Sequence, residues 1–554
     1  MISKKLIACI IIATMLTGVA ATGCSDKEST SGSNYSSADA SVSDEITTGE
    51  DSETNSTSSS DTGSANLANM DLTYTDRDLD ANRSTSGATS ITLKSSSISV
   101  SGSGASVSGA VVTIQSAGTY TVSGTLSNGQ IIVAAGEQDK VQLVFNGVNI
   151  TCSNHAPIYI KSADKVFITL TAGTSNSITD GSSYSLSEAD SAVDGAVFSK
   201  ADLTINGTGA LTVKANYQHG IVSKDDLVIT GGVYNITSES DGLQGKDCVK
   251  INDGTFTINA GADGIKSNND EDSSKGFVSV DGGKFTITAG NDGIQAETIL
   301  RITKATVTMT TGGGSSNAST DSKGNDRPGW GFWGDNADST ETEESAKGLK
   351  ASGDIILSGG TFHVNSSDDS IHSNGNVTIS GGTFELSSGD DGIHADTNLT
   401  ISNGTITITK SYEGLEGKSI DIKGGTIRLV ASDDGINAAG GNDSSSIGGR
   451  PGQNNFSSSG SSYLNISGGY LVVNATGDGI DVNGSLSVSG GTILVSGPTN
   501  DGNGGFDYDG TAEITGGIVI VAGSSGMAQT FGSSSSQNSF MYTFNSTQSA
   551  NQAL

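Results

Sequence analysis

From about residue 89 to residue 530, apolar and polar positions alternate over short stretches separated by turn residues. Ile91, Leu93, Ile98 and Val100 begin the pattern, followed by Val111, Ile114, Tyr120 and Val122 and by the runs 141–150 and 166–170. Between about 347 and 437 the alternation becomes a repeat. In the unit that starts at Asp391, Ile393 and Ala395 bracket His394, and Leu399 and Ile401 bracket Thr400. Asn403-Gly404 makes a turn, and Ile406 and Ile408 bracket Thr407. The unit before it has Ile371, Val377 and Ile379, Gly381-Gly382, then Phe384 and Leu386; the unit after has Leu415, Ile420 and Ile422, Gly424-Gly425, then Ile427 and Leu429. Alternation with period two predicts strands with one inner and one outer face. No stretch beyond the N-terminal apolar run keeps a helical period.

A corner tripeptide fixes the period. Asp241-Gly242-Leu243, Asp263-Gly264-Ile265, Asp292-Gly293-Ile294, Asp369-Ser370-Ile371, Asp391-Gly392-Ile393, Glu413-Gly414-Leu415, Asp434-Gly435-Ile436 and Asp478-Gly479-Ile480 follow one another, and from Asp369 the steps are 22, 22, 21 and 44 residues. Self-similarity at such a spacing marks a solenoid. Three short strands in each repeat predict an all-β chain, a single right-handed parallel β-helix of about 22 residues per coil. The Gly-Gly and Asn-Gly corners supply positive φ. Two insertions break the period, at 312–346 and 439–462, and the first carries Trp330 and Trp333, the chain's two tryptophans. Loops that leave a regular scaffold often bind ligands, and exposed indoles stack on the apolar faces of sugars.

The ends differ in composition. Lys4 and Lys5 precede the apolar run 6–20 and then Ala21-Thr22-Gly23-Cys24, a signal peptide over 1–23 that resembles a bacterial lipoprotein lipobox. Lipidation at Cys24 would hold the chain at the extracellular face of the bacterial cell membrane; without it the protein is secreted. Residues 24–88 read as a disordered tether rich in Ser, Thr and Asp, residues 89–530 as the β-helix and 531–554 as a C-terminal tail. Cys152 and Cys248 give no disulfide framework or zinc spacing and read as small buried residues. The net charge of −32 excludes nucleic acid as a partner. It also repels an anionic polymer unless cations bridge the two. The rod is expected to be a monomer.

Stacking places equivalent side chains about 4.8 Å apart. Asp369, Asp391, Glu413 and Asp434 then form a column, preceded by Asp368, Asp390, Tyr412 and Asp433. Two like charges at that spacing repel by about 3 kcal/mol at an effective dielectric near 20. Corner amides can relieve some of these carboxylates, and oxygen-rich clusters suit Ca²⁺. The isolated corners Asp241, Asp263 and Asp478 read as structural turns. Three places after each acid runs an outward polar column that includes Lys350 and is densest at His372, His394 and Glu416, with Asn374, Asp396 and Lys418 on the next outward step. Lys350, His372 and His394 are candidates for contact with an extended glycan, although a solvated face gives the same pattern. Asp396 joins the candidate metal ligands.

The blocks 347–351, 366–372, 389–396 and 411–417 (Lys-Gly-Leu-Lys-Ala, Ser-Ser-Asp-Asp-Ser-Ile-His, Gly-Asp-Asp-Gly-Ile-His-Ala-Asp and Ser-Tyr-Glu-Gly-Leu-Glu-Gly) resemble the clostridial-type carbohydrate-binding β-helix family. That family is associated with cellulose and polygalacturonate, and its fold is similar to that of pectate lyases. The resemblance implies a right-handed parallel β-helix, bound calcium and a polysaccharide ligand, a plant cell-wall acidic glycan in the first instance. It makes Asp368, Asp369, Asp390, Asp391, Glu413 and Glu416 metal-site candidates. Three functions stay open: a calcium-dependent polysaccharide-binding protein, a calcium-dependent lyase with Lys266, Lys350, Lys418 or Arg428 as base, and a passive adhesin or spacer.

Overall fold

The computed structural model describes residues 66–82, 84–318, 345–439 and 462–549. Its strands pair coil upon coil in the expected register: Ile371 lies beside Ile393 and that beside Leu415, and His372 beside His394 and that beside Glu416. Three parallel ladders run through the repeats. One holds short strands such as Leu349–Ala351 and Ile371–Ser373; the second holds Ile355–Leu357 and Val377–Ile379; the third holds Thr361–Ser366, Thr383–Ser387 and Thr405–Lys410. This is the parallel β-helix that the alternation predicts. In two coils the first and second strands merge, as Ile393–Ile401 and Leu415–Ile422.

The inner columns make the core. Ile371, Ile393, Leu415, Val377, Leu399, Ile420, Ile406 and Ile427 are buried, and each such side chain contributes about 1.5–3 kcal/mol relative to exposure. The coil rise sets the spacing of offset-stacked rings. Tyr234, Phe256 and Phe285 stack at 4.8 and 4.7 Å, and Phe362 stacks on Phe384 at 4.7 Å. Bends into the third ladder need a left-handed residue, and Gly382 (φ +108°) and Gly404 (φ +119°) provide it.

Both insertions leave the ladders intact. Ile294 still pairs with Leu349 across the first, and Ser419 with Tyr463 across the second. Trp330, Trp333 and Cys24 lie outside the described residues. Cys152 and Cys248 are free and buried, as their isolation in the sequence predicts. Among the described residues no helix is long and apolar enough to cross a membrane.

The tether ends earlier than expected. Residues 66–82 lie along the outer face of the second ladder instead of being disordered. Met70 packs with Cys248, Phe277 and Ile299, and Lys250 Nζ donates to the carbonyls of Asp71 and Thr73 at 3.1 Å each. A single helical turn, Asp76–Leu79, begins at a capping box of Thr75 and Asp78. Asp78 is buried, where it accepts from Thr204 at 2.6 Å and pairs with Lys165 at 3.0 Å. The segment is polar in composition, so its few anchoring residues were masked by the average.

Candidate functional site

The acids stand where the third ladder turns into the first. The residue that follows each Asp-Gly starts a first-ladder strand and enters the core. Glycine stands between them in every corner but that of Ser370, because successive coils nearly touch there. A Cβ on Gly392 would sit 2.6 Å from the carbonyl oxygen of Gly414 and 2.6 Å from Ile408 Cδ1. The acid itself bridges coils. One carboxylate oxygen accepts the backbone N–H of the equivalent residue one coil on: Asp241 from Asp263 at 3.1 Å, Asp263 from Asp292 at 3.0 Å, Asp369 from Asp391 at 2.9 Å, Asp391 from Glu413 at 3.1 Å and Asp434 from Asp478 at 2.6 Å. Asp292 serves Lys347 N at 2.8 Å, and Asp478 serves Gly504 N. The acid repeat is therefore first a device for capping corner amides, at isolated and paired acids alike.

The second carboxylate oxygen is left to find a counter-charge. Up to the middle of the rod the chain supplies it. Lys266 lies 2.6 Å from Asp263, Lys350 3.0 Å from Asp292, and Lys347 2.8 Å from Asp369 and 2.9 Å from Asp368. His372 Nδ1 is 2.8 Å from Asp369 and its Nε2 3.1 Å from Asn374 Oδ1. His394 Nδ1 faces Glu416 at 3.0 Å and Asp391 at 3.4 Å, while Nε2 faces Asp396 at 3.2 Å. Burial disfavours a charged ring, yet the bonds to Asp391 and Asp396 outweigh it and hold His394 protonated, its pKa raised to about 10. Burial likewise works against ionised Asp369, but Lys347 and His372 bring its pKa well below the usual carboxylate range.

This arrangement corrects one expectation. His372 and His394 are 9% and 6% exposed, and Glu416 1%. They face away from the core but are locked into the carboxylate network, so they do not form an open strip for a glycan. Lys350 is engaged with Asp292. Lys266 has its pKa raised, because the pull of Asp263 overcomes burial, which is the opposite of what a general base requires. Arg428 stands on the third ladder, its guanidinium 5.1 Å from the Tyr470 ring centroid and away from the corner. Lys418 is exposed.

Further along, the column changes character. Oxygens of Asp434, Asp478 and Asp481 lie within 4.8 Å of one another. Among the described residues no lysine, arginine or histidine offsets Asp434 or Asp478. Burial and then the charges of Asp433, Asp481 and Asp478 push the Asp434 carboxyl up to about 8. Asn437, in register with Asp481, is 3% exposed; its amide nitrogen donates to Glu413 at 2.8 Å, and its Oδ1 has no donor among the described residues. Hard oxygen donors converge there, as a calcium ion requires. The triad Asp368, Asp369 and Asp390 is as close-set, and burial followed by the charges of Asp391 and Asp369 pushes Asp390 well up, but Lys347 already sits among these acids.

Two groupings escaped the sequence reading. Asp478 and Asp481 belong with Asp434, because the coils between Ile436–Ala438 and Ile480–Val482 are adjacent across the second insertion. The 44-residue step from Asp434 to Asp478 reads as two repeats and hides this, since the insertion fills one of them. The other is Asp202, Asp225 and Asp226 at the start of the second ladder. Burial, then a hydrogen bond shared with Asp247, pushes Asp225 up to about 7. The Asp225-Asp226 doublet was its signal.

The carbohydrate-binding domain-containing protein family matches residues 108–392 and 390–435. A carbohydrate-binding domain-containing protein of Acetivibrio thermocellus is 47% identical over 127 residues, 23% of this chain and 44% of that relative. The chain thus spans under half the length of the relative that it matches. A solved structure, titled as the polysaccharide lyase-like protein from C. thermocellum in a gadolinium derivative, is 40% identical, with a TM-score of 0.40 over 41% of this chain and 92% of that one. With the family match running through the coils and the acid corner just described, the chain belongs to the carbohydrate-binding domain-containing protein family.

Proposed function

We propose that this protein binds polysaccharide at the cell surface in a calcium-dependent manner, with the ion at the C-terminal part of the acid corner. The observation that carries the reading is the meeting of Asp434, Asp478 and Asp481, with Asn437 in register beside Asp481 and its Oδ1 without a donor among the described residues. Asp433 stands next in sequence to Asp434 and adds a further carboxylate. A calcium ion there would relieve the mutual repulsion and could bridge to uronate groups. That would let a chain of net charge −32 hold an anionic polymer. Family membership supports the carbohydrate part. A plant cell-wall acidic glycan of the polygalacturonate type suits calcium bridging; a cellulose-type ligand would not need it. The lipobox-like Cys24 supports attachment to the outer face of the membrane.

The test combines metal analysis with binding. Purified protein should retain calcium after desalting, and immobilised polygalacturonate should capture it in calcium but not in chelator. Equal capture in both would remove calcium from the mechanism. Capture by no polysaccharide would leave a passive spacer. Release of an ultraviolet-absorbing unsaturated product would move the reading to a lyase.

A further inference from the structure

Three aromatic rings stand one per coil at the N-terminal end of the same corner. His155, Tyr184 and Tyr217 follow the strands Lys140–Cys152, Ser175–Asp180 and Ala210–Ala215, which pair in succession. Their rings stack along the rod. Tyr184 and Tyr217 have centroids 4.2 Å apart at 22°, and His155 and Tyr184 lie 5.8 Å apart at 7°. All three are partly exposed. They differ in this from the core ring stacks, in which Tyr234, Phe256 and Phe285 are fully buried.

The stack is held from behind. Tyr184 Oη donates to Asp180 at 2.7 Å, and Asp180 accepts Asn216 N at 2.5 Å. A separate apolar cluster of Ala156, Tyr159, Val193, Phe198 and Val222 supports Tyr184 and Leu186. The stack then stops. In the next coils the corner carries Ser240 and Ala262, whose amides continue the chain of bonds from Gln218. Among the described residues no ring stacks on the face of Tyr217 turned away from Tyr184. Gln218 and Glu239, beside it in sequence and one coil on, are exposed. An aromatic face fixed in place, half open and bordered by free polar side chains, has the chemistry that receives the apolar face of a sugar ring.

We propose that Tyr217, backed by Tyr184 and His155, is a stacking subsite for a pyranose ring at the N-terminal end of the acid corner. It rests on the polysaccharide reading above and adds a calcium-independent contact to it. The small residues Ser240 and Ala262 then form the floor over which an extended chain would pass towards the carboxylates.

The experiment measures affinity for cellohexaose and for hexagalacturonate, each in calcium and in chelator. Tyr217→Ala should weaken the binding of whichever oligosaccharide the wild type holds by at least fivefold, by the same factor with and without calcium. Tyr217→Phe, which keeps the ring, should stay within twofold. Asp478→Asn should change only the calcium-dependent part. Thermal melts of each variant check folding. Undiminished binding by a folded Tyr217→Ala protein overturns the subsite and leaves the calcium reading standing. Equal losses in Tyr217→Ala and Tyr217→Phe overturn stacking in favour of a hydroxyl contact. A wild type that binds neither oligosaccharide sinks both readings together.

Discussion

The middle and the C-terminal part of the acid corner share a backbone device and differ in electrostatics. In both, one oxygen of each Asp caps the amide of the next coil. In the middle, the outward column three places on is basic, with Lys350, His372 and His394, and Lys347 replaces an acid within the column itself. At the far end that column reads Glu416, Asn437 and Asp481. The chain thus neutralises its own corner in one region, while in the other, among the described residues, it gathers carboxylates without a lysine or arginine beside Asp434 and Asp478. An acidic column is therefore poor evidence for metal by itself. What counts is whether the neighbouring column can reach the second oxygen.

The comparison breaks most sharply at Lys347. Lys347→Met would remove the buried cation shared by Asp368 and Asp369, leaving the buried Asp369 with His372 alone, and should cost about 3–5 kcal/mol of stability by denaturant unfolding. The substitution makes the middle resemble the C-terminal part, so millimolar calcium should recover part of the loss. No recovery would mean that geometry, not charge alone, separates the two regions.

Calcium should act on the wild type through the far end only. At a hundredfold excess over its dissociation constant it stabilises by about 2.7 kcal/mol. The double substitution Asp434→Asn, Asp478→Asn should abolish the rise in melting temperature, whereas Asp369→Asn should leave it.

pH separates the regions by window, since both groups have raised pKa values and both lose stability as pH rises. His394 has its folded pKa raised from 6.5 to about 10, so its contribution is full below 6.5 and is lost as pH climbs through 10. Asp434 has its folded pKa raised from 3.8 to about 8, so the folded state holds the extra proton between those values. In chelator, stability should fall as pH rises through that window, and calcium should flatten the fall. Melting curves from pH 4 to 10 check both. Asp434→Asn should remove the lower window and His394→Gln the upper.

The smallest effect belongs to a site outside the comparison. Arg428→Ala removes the contact with Tyr470, worth about 0.5–1 kcal/mol at an exposed position. The calcium response should not change.

Much of the scaffold was legible before any coordinates. The inside and outside of each strand followed from alternation at Ile393, Ala395, Leu399 and Ile401, and the stacking of Lys350 under His372 and His394 from the corner spacing. Local sequence also hinted at amide capping, since Asp before Gly at a bend commonly accepts from the backbone. The site was harder to read. His372 and His394 looked like an exposed strip because outward from the core was equated with open to solvent. Lys347 sat beside a glycine in a corner and gave no sign that it would hold two acids of the following coil. The ordered segment 66–82 was averaged into a polar tract, although Asp78 and Met70 anchor it.

The sequence by itself determined the period, the inner columns, the corner glycines and the line of acids, because each of these repeats locally at a fixed interval and stacking does the rest. Only the tertiary structure decided which acids keep a cation of the chain's own and which do not. That outcome depends on how far a lysine or histidine reaches across the gap between coils, on which coils an insertion brings together, and on how much water is left around each carboxylate, none of which is written at a single position.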